Sequence, residues 1–196
     1  MTIFFSSDFH FCHTNICAGT SKWDDVSACR QFKTIEDMNQ KIIDNINLRV
    51  HPNDVLYCLG DFAFGGVKNY FTMREQINCN KIHLILGNHD GKHGQDLDPV
   101  YNGQRVSSLF GYYDVYREIS IGKQRFVLFH YPISSWNSMS RSIHLHGHTH
   151  RSPQEKFKNG GKSMDVGVDG NNYMPYSLEE IMEIMKDREV LREGHH

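Results

Sequence analysis

Short apolar runs recur along this chain and are separated by polar or amphipathic segments. The runs TIFFSS (2–7), VLYCLG (55–60) and KIHLILG (81–87) are predominantly apolar. Runs of this length and composition are typical of β-strands, and the second has the pattern of a strand buried on both faces. Two further strands are predicted over 142–146 and 164–170, and glycines interrupt the latter.

Helices are predicted where the apolar residues change to helical spacing. Thr34 precedes such a segment, and Asp37 lies three positions further on in a variant of the capping box. A second helix is predicted over 67–78. Ser177 and Glu180 form a capping box before a third amphipathic segment, which indicates a last helix near the end of the chain.

A β-hairpin is predicted over YREISIGKQRFVLFH (116–130). Gly122 and Lys123 fit its two-residue turn, because glycine in the first central position tolerates the backbone conformation that such turns need. Residues 8–33 and 91–112 are rich in polar and turn-forming residues and are predicted to be irregular. The chain has more strand than a simple doubly wound fold needs, which indicates a mixed α/β architecture.

Length and composition favour a single globular domain. The chain has 196 residues, of which 39% are hydrophobic and 22% are charged, and these values are ordinary for folded domains. We predict one domain over residues 1–193. Residues 194–196 resemble the start of an affinity tag, so His195 and His196 are excluded from the chemistry.

Charge and cysteine content restrict the partners and the compartment. The formal net charge of −2 does not favour a broad face for nucleic acid, and no stable nucleic-acid complex is expected. The five cysteines are odd in number and form no CxxC pair, which favours free thiols and a cytoplasmic location. The N-terminal segment does not resemble a signal peptide, and no apolar run is long enough to span a membrane.

Residues that can bind metals follow the predicted strands. The first three strands are followed by SDFH, GD and GNHD, the hairpin ends in LFH, and the next strand leads into GHTH. Strand ends are where α/β proteins commonly build sites, because the sheet holds them rigidly. The candidate metal ligands are Asp8, His10, Asp61, Asn88, His130, His148 and His150.

The chemistry of these donors favours a pair of transition-metal ions. Four imidazoles with few carboxylates favour Mn, Fe, Zn, Co or Ni over Ca or Mg. His148 and His150 are alternate residues, ~6–7 Å apart at the backbone if the chain is extended. Their imidazoles can therefore serve different ions of a pair spaced ~3.5–4 Å apart. Two such ions with two aspartate ligands leave a positive centre suited to phosphate, but spacing alone does not assign ligands to ions.

His89 and Asp90 are the candidate catalytic residues. An imidazole can transfer a proton near neutral pH, and a neighbouring carboxylate can orient the ring. The histidine-rich segment HLHGHTH contains two more histidines, His144 and His146. His146 is predicted either to support the ligands or to be structural, and His144 to be a strand residue that neighbours or solvent satisfy.

Taken in order, these motifs resemble those of the calcineurin-like binuclear metallophosphoesterases. The resemblance runs from Asp8 to His150, about three quarters of the chain. The segments SSDFHFCHTNI and VGVDGNNYMPYSLEEI also resemble a subgroup of small, uncapped bacterial and phage phosphoesterases, in which glycine is usual at the position of Cys12. His13 and Asn15 match the subgroup pattern and are candidate substrate residues, with loop hydrogen bonding as the alternative.

The resemblance implies a central β-sandwich of two mixed sheets flanked by helices, with two divalent ions at the strand ends. It also implies two ligand sets that share Asp61. Manganese is the expected metal. The two implied sets are Asp8, His10 and His150 for one ion, and Asn88, His130 and His148 for the other.

The implied activity is hydrolysis of phosphate esters, in which the two ions activate a bridging hydroxide and His89 assists the leaving oxygen. Protein phosphatases of this superfamily carry GDxxDRG and GNHE, whereas this chain has GDFAFGG and GNHD. A small phosphodiester or nucleotide-like substrate is therefore favoured over phosphoprotein, with small monoesters still open. An arginine that binds the phosphate could be any of Arg30, Arg74, Arg105 and Arg141. The default expectation for each of these residues is a solvated surface arginine.

Three alternatives stay open at this point. A metallonuclease of the same superfamily would cleave oligonucleotides, although the chain has no evident basic patch. A non-catalytic scaffold on the same fold would be expected to lack key residues, and all of them are present here. A protein that only sequesters metal would not need aspartates and an asparagine at successive strand ends. The oligomeric state is not indicated by the sequence.

Overall fold

The computed structural model of the chain describes residues 1–90, 96–151 and 161–190. Residues 194–196, the predicted tag remnant, lie outside the described residues. The helices are α1 (Ile35–Arg49), α2 (Val67–Glu75) and α3 (Leu178–Lys186). The strands are β1 (Ile3–Ser6), β2 (Val55–Cys58), β3 (Lys81–Ile85), β4 (Val100–Tyr101), β5 (Gln104–Arg105), β6 (Tyr112–Asp114), β7 (Tyr116–Ile121), β8 (Gln124–Phe129), β9 (Ser142–His146), β10 (Ser163–Asp165) and β11 (Tyr176–Ser177).

Two mixed sheets form the centre of the fold. The first has the order β11-β1-β2-β3-β6, with β11 antiparallel and the other four strands parallel. The second has the order β10-β9-β8-β7, with only β7 antiparallel. Strands β4 and β5 form a small separate hairpin. The predicted fold class, an α/β sandwich of two mixed sheets flanked by helices, is confirmed.

The core lies on both faces of the first sheet. Along β2, Leu56 and Cys58 pack in the cluster that includes α1 and α2. Val55 and Tyr57 alternate with them and pack against the second sheet. Successive side chains of a strand point to opposite faces, so a strand covered on both sides must be apolar throughout. This explains why the run VLYCLG shows no alternation of apolar and polar residues.

Local sequence signals place several element ends correctly. The Thr34 hydroxyl accepts the amide N–H of Asp37 at 3.1 Å and begins α1. Ser177 and Glu180 form the predicted capping box at α3, with bonds of 3.2 and 2.7 Å. Strands β7 and β8 form the predicted hairpin, and Gly122 in its turn has a φ of +58°. These features depend on residues only a few positions apart, so the sequence pattern predicts them.

Other element ends differ from the prediction for identifiable reasons. Helix α2 ends before residue 78, and the Arg74 guanidinium donates to the carbonyls of Ile77 and Cys79 where the chain leaves the helix. The strand predicted over 164–170 ends at Asp165, whose carboxylate accepts the Gly167 amide at 2.7 Å and turns the chain.

The segment predicted as irregular over 91–112 is partly ordered. Residues 91–95 lie outside the described residues, but β4, β5 and the start of β6 fall within the remainder. β6 pairs with β3 in parallel register, His83 with Tyr112, and so depends on a distant strand. Among the described residues, no helix combines the length and the apolar character that a membrane span requires.

Candidate metal centre

The loops after β1, β2 and β3 meet the loops after β8 and β9 at one edge of the sandwich. The Gly147 amide donates to the carbonyl of His130 at 2.9 Å, which joins the loops of the second sheet. The Val168 amide donates to the carbonyl of Ser7 at 3.1 Å and joins the two sheets. This edge brings together all seven predicted metal ligands.

Asp8, His10 and His150 form the first group of converging donors. The Nε2 atoms of His10 and His150 lie 3.2 Å apart, and Asp8 Oδ1 lies 3.8 Å and 3.7 Å from them. The donor atoms of this group all lie within 4.8 Å of one another. Two imidazole nitrogens and a carboxylate oxygen facing one small volume fit a divalent cation.

Asp61 lies between this group and a second one. Its Oδ2 atom is 3.6 Å from His10 Nε2 and 3.6 Å from His130 Nε2. Asp8, Asp61 and His130 also form a group whose donor atoms lie within 4.8 Å. Asp8, which the resemblance assigns to the first set, therefore also lies close to His130.

Asn88 joins the remaining predicted ligands. Its side-chain oxygen is 2.9 Å from His130 Nε2 and 3.0 Å from His148 Nδ1. His130 is buried, Asn88 is half-buried and His148 is exposed. The centre is therefore closed on the side of the sheets and open to solvent beside His148.

Most of the candidate ligands have a strained backbone. A positive φ is uncommon for residues other than glycine and costs of order 1–3 kcal/mol when the surroundings enforce it. Cys12 also has a positive φ, +64°, which fits the glycine that is usual at this position in the resembled subgroup. The ligands concerned are Asp8 (φ +57°), His10 (+51°), Asp61 (+55°), His148 (+71°) and His150 (+52°).

A buried ion pair supports His150 from behind. The Nδ1 atom of His150 lies 2.7 Å from Asp169 Oδ2. Arg30 donates to both oxygens of Asp169, each at 2.8 Å, and to the carbonyls of Asp8 and Phe9. A carboxylate on the second nitrogen of a ligating histidine fixes its tautomer and orientation. This contact directs Nε2 of His150 towards Asp8 and His10.

The sequence prediction missed Asp169 and was wrong about Arg30. Asp169 lies in VDGNN, within a segment that carried the resemblance, but nothing in that stretch indicates a contact with His150. Arg30 is 4% exposed and fully engaged, so it is not a clamp for phosphate. Arg74 is likewise bound to backbone carbonyls after α2. Burial of a guanidinium requires such partners, and neither residue is the surface arginine expected by default.

The other two arginines, Arg105 and Arg141, are exposed, and the described residues show no hydrogen bond or ion pair between them and the centre. Arg105 pairs with Asp98, with 3.7 Å between Nη1 and Oδ2. Arg141 precedes β9 and is exposed, at the end of that strand opposite the ligands. Among these four arginines, none has a contact with a candidate ligand side chain.

Asp90 has a different role from the predicted one. Its carboxylate accepts the amides of Asp61 and Gly87 at 2.6 and 2.8 Å, and the Tyr70 hydroxyl at 2.7 Å. No hydrogen bond among the described residues joins Asp90 to the ring of His89, so the predicted orienting bond is not formed. Asp90 instead binds the backbone that carries the candidate ligand Asp61.

Burial shifts the protonation of the donors in a way that suits a cation. Burial raises the pKa of Asp8 and of Asp61 to about 7. Burial also lowers the pKa of His10 well below its usual range. Burial alone would lower the pKa of His150, but the hydrogen bond to Asp169 and the charge of Asp8 raise it. Two carboxyls that retain protons up to neutral pH are sites where a cation can replace those protons.

Of the candidate substrate residues, His13 lies beside the centre, whereas Asn15 makes its contacts within the loop. His13 Nδ1 is 3.4 Å from His10 Nδ1, and its ring stacks on Phe64 with 4.1 Å between centroids. Burial lowers the pKa of His13 to about 4. Asn15 accepts the amide of Lys22 at 3.2 Å, which is the loop role that the sequence left open. The contact of either residue with substrate stays a prediction.

His144 and His146 lie within the sheet behind the ligands. The ring nitrogens of His144 lie 3.2 and 3.1 Å from the carbonyls of Val127 and Tyr131. His146 Nδ1 lies 3.0 Å from the carbonyl of Gly147. Both side chains are buried and bound to backbone, as the strand interpretation of His144 requires.

The two mixed sheets, with aspartates, histidines and an asparagine at their shared edge, have the architecture of a metallophosphoesterase. The model of the calcineurin-like phosphoesterase family matches residues 1–192. The chain belongs to this family.

The chain is also similar to individual known proteins. An uncharacterized protein of Methanocaldococcus jannaschii is 31% identical over 196 residues, which cover 97% of this chain and 94% of the relative. The solved structure of a protein of unknown function from Aquifex aeolicus has a TM-score of 0.63 at 22% identity, covering 93% of this chain and 98% of its own. The latter similarity supports the fold alone. A novel archaeal phosphodiesterase has a TM-score of 0.46 at 18% identity, covering 85% and 84%.

Proposed function

We propose that this chain is a metal-dependent phosphoesterase that hydrolyses a small phosphodiester or nucleotide-like substrate with two divalent ions. The position of Asp61 carries this proposal. One of its oxygens lies 3.6 Å from the Nε2 atoms of both His10 and His130. A carboxylate placed in this way between two groups of donors suits a bridging ligand.

The proposed ligands surround two positions on either side of Asp61. Ions bound there would supply Lewis-acid activation of water and compensation of charge on the phosphoryl oxygens. The donor chemistry suits Mn, Fe, Zn, Co or Ni, and we take manganese as the working choice. The residues that would hold them are Asp8, His10 and His150 on one side and Asn88, His130 and His148 on the other.

We assign to His89 the role of acting on the leaving group. Its amide donates to Asp61 Oδ1 at 2.9 Å, and its exposed ring lies 5.4 Å from the ring of His10. Burial lowers the pKa of His89 although the charge of Asp90 opposes this shift. The ring is therefore neutral at pH 7 and donates its N–H to the leaving oxygen, which it stabilises as charge develops.

Replacing His89 by alanine is expected to lower turnover of alkyl phosphodiesters by about 10²–10⁴-fold. The bound metal should be unchanged, because the His89 side chain belongs to neither donor group. Bis-p-nitrophenyl phosphate should be affected less, since its leaving group needs little stabilisation. Steady-state kinetics with metal analysis checks this, with the exposed His51→Ala as a matched control. Unchanged turnover of alkyl diesters in metal-loaded His89→Ala would reject the role.

A screen of metals against substrates tests the proposed function. Bis-p-nitrophenyl phosphate, p-nitrophenyl phosphate, cyclic nucleotides, dinucleotides and oligonucleotides would each be assayed with Mn, Zn, Ni and Mg. We expect diesters to be preferred with a transition metal, and activity to be lost in Asp61→Asn. Preferred cleavage of oligonucleotides would favour a metallonuclease. Metal binding without any hydrolysis would favour a scaffold or a metal-sequestering protein.

Metal binding is expected to weaken as pH falls below about 7. Burial holds the pKa of Asp8 and of Asp61 at about 7, and a cation needs both carboxylates ionised. Below this pH each bound cation must displace protons, so affinity falls by up to about tenfold per pH unit for each carboxyl. Above it both carboxyls are ionised, and affinity levels off once His150, whose pKa Asp169 and Asp8 raise, has also lost its proton. Calorimetry of Mn binding across this range, in buffers of different ionisation enthalpy, measures the protons released; a flat profile would contradict the ligand assignment.

We also propose a cytoplasmic location for the protein. Its five cysteines are all free thiols, and four of them are buried. Unpaired thiols in this number suit a reducing compartment better than an oxidising one. Fractionation of cells that produce the native chain would test this.

A further inference from the structure

A cleft opens directly beside the proposed metal centre. Its volume is about 550 Å³, which lies in the range of sites that enclose a small organic ligand. The segment after β2 forms one wall with Phe64 and Val67, and Pro99 contributes to the wall before β4. Asn88 and His89 form the boundary between the cleft and the metal centre.

We propose that this cleft binds one nucleoside of a phosphodiester substrate, with the base against Phe64 and the ester oxygen beside His89. The inference rests on the proposed function and deepens it, because it names the group that the substrate carries on one ester arm. A volume of about 550 Å³ accommodates one nucleoside rather than a strand of nucleic acid.

Continuity with the metal centre determines which part of the substrate reaches the cleft. The side-chain oxygen of Asn88 lies 2.9 Å from His130 Nε2 and 3.0 Å from His148 Nδ1. Because Asn88 borders both this part of the centre and the cleft, a phosphoryl group bound at the centre would have one ester arm at the mouth of the cleft. His89 lines the same mouth. The ester oxygen of that arm therefore lies next to the imidazole ring that we propose stabilises it.

The wall formed by Phe64 is suited to a flat aromatic group. Its ring stacks on His13 with 4.1 Å between centroids and an interplanar angle of 9°, and it lies 5.2 Å from the ring of His89. These contacts hold the ring in place before a ligand arrives, so little side-chain entropy is lost on binding. Bases of any sequence stack on such a ring, because every base has a π-face.

Polar groups in the cleft match a sugar. The carboxylate of Asp96 lines it, and one of its oxygens accepts the amide of Asp98 at 3.0 Å. A carboxylate has further lone pairs, so Asp96 can accept hydrogen bonds from ribose hydroxyls. The Gly65 and Gly66 backbone has φ values of +84° and +129°, and no side chain there obstructs a flat ligand.

Binding of adenosine to the metal-free protein tests the inference without relying on activity. Calorimetry should detect adenosine but not ribose, and Phe64→Leu should weaken adenosine binding by about 10- to 100-fold, as loss of one stacked base does. Phe32→Leu is the matched control, because Phe32 is also a half-buried ring that lines a groove, of about 530 Å³, elsewhere on the surface. Val67→Trp fills the cleft and should also abolish binding.

Kinetics separate this inference from the proposed function. Phe64→Leu should lower kcat/KM for a dinucleotide by about 10- to 100-fold, while Phe32→Leu, in the other groove, should leave it as in the native chain. Equal adenosine binding by the native chain, Phe64→Leu and Val67→Trp, or no binding at all, would overturn the cleft assignment. Hydrolysis of methyl p-nitrophenyl phosphate would still report separately on the metal centre.

Discussion

Replacing Arg30 by methionine is expected to lower the free energy of unfolding by about 3–5 kcal/mol. The substitution removes both Arg30 donors from the carboxylate of Asp169, which keeps only its contact with His150, and it leaves the carbonyls of Asp8 and Phe9 without the Arg30 donor. Removing one partner of an ion pair whose guanidinium is buried is among the most destabilising single substitutions, and here the Arg30 and Asp169 side chains are only 2% and 19% exposed. Because Asp169 also orients His150, metal affinity should fall by about 10–100-fold. Urea denaturation and metal titration measure the two effects.

Two controls separate the buried pair from an ordinary loss of charge. Arg49→Met breaks a more exposed pair with Glu180, whose side chain is 43% exposed, and should cost less than about 1 kcal/mol. The double variant Arg30→Met/Asp169→Leu removes both buried charges and should recover part of the stability. Equal destabilisation in Arg30→Met and Arg49→Met would show that the buried pair has no special role.

Replacing Gly60 by alanine is expected to cost about 2–6 kcal/mol and to displace His130, a proposed metal ligand. Gly60 has a φ of +102°, and an added Cβ would lie 2.4 Å from His130 Nδ1 and 2.8 Å from the backbone of Gly87. The His130 ring cannot yield easily, because it is buried and its Nδ1 lies 2.8 Å from the carbonyl of Leu59. Thermal denaturation and metal content after purification report the two consequences.

Gly103→Ala is the matched control for this crowding. Gly103 also has a positive φ, +81°, but no atom lies within 4 Å of an added Cβ. It should therefore show only the cost of the backbone conformation, about 1 kcal/mol. If the two variants lose the same stability and both retain metal, close packing against His130 is not the reason that position 60 requires glycine.

The glycines of the GD and GNHD motifs illustrate what a sequence pattern can and cannot explain. Their presence before Asp61 and Asn88 is plain from the sequence. Their physical necessity is not, because it comes from the contacts of Gly60 with His130 and of Gly87 with the Asp61 carboxylate, where an added Cβ would lie 2.2 Å from the oxygen. A motif indicates the residue types, and the neighbours that make them necessary lie in other parts of the chain.

The sequence by itself determined the parts of this protein that depend on near neighbours along the chain. The buried strands, the caps of α1 and α3 and the hairpin at Gly122 follow from periodicity and turn chemistry over a few residues. The positions of seven candidate ligands just after strands follow in the same way. The ordered set of motifs also indicated the family, which the match over residues 1–192 confirms.

Only the tertiary structure decided the contacts between distant segments. Arg30 and Asp169 are 139 positions apart, and no local pattern links them. Asp90 was predicted to orient a neighbouring ring, but its oxygens bind the backbone of Asp61 and the hydroxyl of Tyr70 instead. The two-residue strand β11 exists because it pairs with β1. Such contacts gain their free energy from burial and from hydrogen bonds between segments that meet only when the sheets assemble.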